Sequence, residues 1–102
     1  MIIYNVTVSV EESIKADWLN WMKTEHIPEV MACGVFTKAQ INRVIAQGDS
    51  NNTFAIAYFC PSMRDLHHYQ IKFSPELQQK HIARYGDKAV AFRTIMEVIE
   101  EF

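Results

Sequence analysis

His26 is the side chain in this sequence best suited to acid/base chemistry. It follows Glu25 and stands two positions before Pro28. An imidazole changes protonation near neutral pH, and a carboxylate beside it can set its tautomer. The same ring can also serve the backbone by satisfying helix-end carbonyls. Trp18 and Trp21 precede it at helical spacing, with Met22 on the same stripe. Aromatic rings in a cleft can sandwich a planar ligand. That spacing is equally the spacing of any buried helix face, where Trp fills the core. Tyr4 and Tyr58 can add hydroxyls to the same cleft, or find one partner at a wet core rim. The candidate site is His26 as catalytic residue, with Tyr4, Trp18, Trp21, Glu25 and Tyr58 as ligand-binding residues.

Other chemistries lack their residues. His67 and His68 are adjacent, so on a helix they point about 100° apart. No two histidines stand at the i, i+4 spacing of helical metal sites, and His81 is isolated, so no metal site is expected. No GxGxxG, P-loop or GxSxG run occurs, which leaves nucleotide cofactors and serine-hydrolase chemistry without support. No cofactor is implied. Cys33 and Cys60 fall outside any CxxC pattern and read as small apolar groups with reduced thiols, as in a cytoplasmic protein.

The elements that must position these side chains follow from periodicity. Ile2–Val10 alternates, with Tyr4, Val6, Val8 and Val10 on one face and Ile3, Asn5, Thr7 and Ser9 on the other, as a strand does. Glu11 and Glu12 suit a helix N-terminus, and Ile14, Trp18, Trp21 and Met22 form its apolar stripe. Pro28 biases Ile27 away from the α region, which predicts an interruption over 25–27, a further short turn to Met31 and closure at Gly34. Strands are expected over 35–46 and Thr53–Cys60, joined by the polar turn 47–52. Ser62 to Asp65 resembles a capping box, and Ser74-Pro75 marks a second helix start, ending near Tyr85 with Gly86 as cap. A last strand covers 89–99. The order β-α-β-β-α-β is the α+β, ferredoxin-like arrangement.

The 102 residues are 49% hydrophobic and 22% charged, enough for one domain spanning 1–102. Ten Lys and Arg against twelve Asp and Glu are scattered, without the basic face that nucleic-acid binding needs. No apolar run approaches the roughly 18 residues of a membrane span, and residues 1–10 lack the charge pattern of a signal peptide. Strands 54–60 and 89–99 are apolar on both faces, yet two helices cover only one face of a four-stranded sheet. A second copy of the chain is the simplest cover, giving a homodimer through the sheet.

Trp21-x-x-x-Glu25-His26-Ile27-Pro28, followed by Gly34-Val35-Phe36, resembles the first-helix signature of the dimeric α/β-barrel superfamily, and most closely a small bacterial family of unknown function. The resemblance implies two ferredoxin-like subunits packed sheet to sheet, each with a cleft between sheet and helices. Relatives include cofactor-independent monooxygenases, haem-degrading enzymes, lactone isomerases, polyketide cyclases and non-catalytic members. In the haem-degrading branch a first-strand Asn joins a Trp and a His; Asn5 matches the strand and His67, His68 or His81 could supply a second-helix His, but no Trp follows Trp21, so the set is incomplete. Two functions remain open: transformation or binding of a small, largely apolar, aromatic or lactone-like molecule with His26 as acid/base, or a non-catalytic dimer that binds a ligand or protein.

Overall fold

Alternation along Ile2–Val10 builds β1, which buries Tyr4, Val8 and Val10 on its inner side. The computed structural model describes residues 1–46, 48 and 51–102. A 3-10 turn, Glu12–Ile14, leads into α1 (Lys15–Trp21), a π turn (Met22–His26) and α2 (Ile27–Ala32). The hairpin is β2 (Lys38–Arg43) and β3 (Thr53–Cys60); α3 (Met63–Lys72), α4 (Ser74–Tyr85) and β4 (Ala89–Glu97) follow. The sheet order is β2-β3-β1-β4 with every neighbouring pair antiparallel. This is the expected α+β, ferredoxin-like β-α-β-β-α-β fold.

The strand bounds differ from expectation for local reasons. β2 is shorter than 35–46 because Phe36 leaves the ladder and stacks on Tyr4, ring centroids 6.2 Å apart. Pairing still continues one residue either side, through Thr37 N–H to Phe59 O and Val44 N–H to Thr53 O. β4 stops at Glu97, short of the expected residue 99, with one more bond from Val98 N–H to Met1 O. Within the expected turn 47–52, Gln47, Asp49 and Ser50 lie outside the described residues; Gly48 and Asn51 take φ of 82° and 65°, as a tight turn requires.

Helix ends show which local signals operate. Ser62 Oγ accepts from Asp65 N–H at 3.3 Å and donates to Asp65 Oδ2 at 2.9 Å, so the Asp closes the box through the hydroxyl. Gly86 caps α4 at φ 58°, its N–H on Ile82 O. Ser74 does not cap. It is the first residue of α4, buried, and its hydroxyl accepts from Gln78 Nε2 at 2.7 Å.

The core lies between the helices and the inner sheet face, around Trp18, Phe54, Ile56 and Leu66. On the outer face, register groups Val90, Phe92 and Met96 of β4 with Ile3 and Thr7 of β1 and with Ala55, Ala57 and Phe59 of β3. Phe92 there is 62% exposed. Among the described residues no helix is long and apolar enough to cross a membrane.

Candidate functional site

The interruption at Pro28 creates the site, but not as a break. Ile27 stays α-helical at φ −61°, ψ −44°, against the bias expected before proline. The chain instead widens, and Ile27 N–H donates to Met22 O, five residues back. The wider turn relieves the clash between the proline ring and the preceding carbonyl. Thr24 Oγ1, inside the widened turn, also donates to Asn20 O of α1 at 2.7 Å. Residues five apart would point about 140° from each other in an α-helix, but stand one above the other in a π turn. Trp21 and His26 are such a pair, stacked with centroids 4.8 Å apart and planes 25° from parallel.

His26 thereby joins the wall of a pocket between the helices and the sheet, with a cavity of about 40 Å³. Tyr4, Val8, Val30, Ile56 and Tyr58 form its buried floor, while His26, His81, Gln78 and Arg93 lie nearer the mouth. His26 Nδ1 is buried without a hydrogen-bond partner. Burial is the main cause that holds the His26 pKa down at about 4, with His81 adding to it; Glu29 opposes, and Lys80 and Arg93 reinforce. The ring is neutral at pH 7.

His81, weighed in the sequence only for a metal or a haem-degrading set, is a pocket residue beside His26 that the candidate site omitted. Its ring centroid lies 6.0 Å from that of His26. Trp18 Nε1–H donates to His81 Nε2 at 3.0 Å, so a neutral His81 carries its proton on Nδ1. Burial, then Arg93, pushes the His81 pKa below its ordinary value. A signal existed: Ser74, Leu77, His81 and Tyr85 fall on one stripe of α4, with three of the four buried. Arg93 was legible too, since it shares strand parity with Ala91 and pairs opposite Val6 on the inner face.

The expected site residues divide. His26, Tyr4 and Tyr58 meet in the pocket. Trp18 is fully buried behind it, against Phe54 at 5.2 Å, and reaches the pocket through His81. Trp21 backs His26, and its other side lines a shallow surface groove with Glu25, under the Arg84 guanidinium at 5.6 Å. Glu25 is exposed on that outer surface, and the carboxylate whose charge reaches His26 is Glu29. The Tyr58 and Tyr69 hydroxyls are pushed well above the phenol range, by burial first and by neighbouring phenols second. Asn5 points to the outer face, where its Nδ2 donates to Thr7 Oγ1 at 3.0 Å, so it does not share the pocket with the histidines. Among the described residues no three His, Cys, Asp or Glu side chains cluster as a metal site would require.

With this geometry in view, the likeness to known proteins is one of fold. A candidate antibiotic biosynthesis monooxygenase from Deinococcus radiodurans superposes with a TM-score of 0.71 at 15% identity, over 100% of this chain and 96% of that one. An ethyl tert-butyl ether D (EthD) family protein from Bacillus halodurans gives 0.69 at 13% identity, over 97% of this chain and 100% of that one. A dimeric ferredoxin-like protein from an uncultured marine organism gives 0.67 at 11% identity, over 100% of this chain and 98% of that one. No curated protein matches the chain in sequence. One family model does, over residues 1–99, and the chain belongs to that family, a domain of unknown function, DUF4286.

Proposed function

We propose that this protein binds and transforms a small, largely apolar molecule in the pocket between sheet and helices, with His26 as its acid/base group. The observation that carries this reading is His26 Nδ1, buried in the pocket wall with no partner. An unpaired buried polar atom costs about 1–3 kcal/mol, and a bound substrate that supplies the partner offsets that cost. Neutral at pH 7, the ring enters as a proton acceptor. Tyr4 and Tyr58 offer ring faces and hydroxyls from the floor. A fold neighbour described as a candidate monooxygenase supports an enzymatic use of the cleft.

The assembly proposed is a homodimer through the outer sheet face. Exposed Val90, Phe92 and Met96 support it, as do two fold neighbours described as dimeric ferredoxin-like proteins. Cys33 and Cys60 are both free thiols, which fits a reducing cytoplasm.

A second reading, a non-catalytic ligand-binding dimer, draws on the cavity volume of about 40 Å³. A cavity that takes up benzene measures about 150 Å³, so only part of a ligand is enclosed here. His26→Gln separates the two when small apolar and aromatic compounds are screened by ligand-observed NMR and then assayed for turnover. Loss of turnover with binding kept, and a stability change under about 1 kcal/mol, is the enzymatic outcome. A loss of several kcal/mol with turnover kept makes His26 a structural residue and overturns the proposal.

A further inference from the structure

Arg93 has no evident structural duty. It sits on the inner face of edge strand β4, opposite Val6, and its side chain faces the helices, not the outer surface. Three ion pairs tie Lys15 to Glu12, Lys80 to Glu29 and Arg84 to Asp17, and none among the described residues involves Arg93. Its charge nonetheless reaches both His26 and His81. Behind these groups lies an apolar floor, with Val8, Val30 and Ile56 at 2%, 1% and 0% exposure. We infer that the pocket takes a small monocarboxylate, its carboxylate held at the mouth by Arg93 and the two imidazoles, its short apolar body on the floor.

The chemistry of each group fits that ligand. A guanidinium offers a planar fork that matches a carboxylate with two parallel hydrogen bonds. His81, its Nε2 occupied by Trp18, can only donate from Nδ1 when neutral. His26 has no partner at Nδ1, so nothing there fixes its tautomer, and with its proton on Nδ1 it can donate to a carboxylate oxygen. Glu29, the acidic group near His26, is engaged by Lys80 at 2.7 Å. The cavity volume of about 40 Å³ encloses only a few heavy atoms, which sets the size class. A dimer formed through the outer sheet face leaves Arg93 free, because Arg93 belongs to the inner one.

This inference rests on the proposed pocket function, and matched probes separate the two. Propionate and butyrate are compared with propionamide and butyramide by calorimetric titration, while the ring signals of His26 and His81 are followed by NMR. The expected result is carboxylate binding about tenfold tighter than amide binding, with both histidine signals shifting. Arg93→Gln should erase that preference, lowering carboxylate affinity to the level of the amides. Lys72→Gln, which removes the same charge from the end of α3, should change neither. Equal affinity for acid and amide, or a preference that survives Arg93→Gln, overturns the carboxylate assignment while leaving a small-molecule pocket in place. No binding by any of the four, with the His26 signal unmoved at millimolar probe, overturns both.

Discussion

Burial of the His26 ring makes folding sensitive to acid. An unfolded histidine titrates near 6.5, whereas folded His26 titrates at about 4. Between those values the unfolded chain holds a proton that the folded one refuses, so stability falls as pH drops through that window and levels off outside it. The size is on the order of 3 kcal/mol, and His81 acts in the same direction. Urea unfolding of the wild type and His26→Gln from pH 7 to pH 4 should show the steeper loss in the wild type. Parallel curves would mean that His26 protonates in the folded protein without cost. The Trp18–His81 bond gives a second expectation. Trp18→Phe removes the donor that favours neutral His81, so the His81 pKa should rise by NMR titration; an unchanged value would show that burial and Arg93 set it without the Trp18 bond. Much of the pocket was legible at this scale: Tyr4 and Tyr58 by strand parity, His26 by its place before Pro28. His81 carried a readable stripe position, but its meeting with His26 depends on how α4 packs against the π turn, which no local pattern states. Glu25 was misplaced for a related reason. It lies inside the widened turn and ends on the outer surface.

The π turn is the element on which the site depends. Proline marked the right segment, and the strand alternation, the Ser62 cap and the Gly86 terminator all read directly from residue type. What local rules could not state is that the chain would widen instead of breaking. That choice is settled by α1 and α2 both burying residues, Trp18, Trp21 and Val30, in one core. A broken helix would free one of those faces. Pro28→Ala restores a backbone donor and removes the ring, so the turn can tighten to α geometry with little loss of stability. His26 should then rotate off Trp21. The ring-current shift of the His26 protons reports the stack, and it should shrink in the variant, together with affinity for any pocket ligand. If the shift is unchanged, packing around Trp21 and Tyr85, and not Pro28, holds the turn open.

For the whole molecule, the two faces of the sheet divide the work. The inner face, with the helices over it, holds core and pocket; the outer face exposes apolar side chains in rows set by register. Phe92 aligns with Thr7 and Ala55, and Met96 with Ile3 and Phe59. Val90 and Phe92 are each 62% exposed, which is costly for a free surface, and they sit on one face instead of being scattered. The proposed sheet-to-sheet dimer would cover them, and a specific interface of that kind buries more than about 1,000 Å². Light scattering should therefore give a particle of twice the 11.9 kDa chain at micromolar concentration. Phe92→Asp places a charge at the centre of that contact, where it finds no partner, and should yield monomer or unfolded chain. Ile71→Asp supplies the control. Ile71 is 81% exposed but lies on α3, in the helical layer, so the same change there should leave the dimer intact. A well-folded wild-type monomer, or a Phe92→Asp dimer as stable as the parent, would mean that the outer face is tolerated in water and that the assembly, if any, uses another surface.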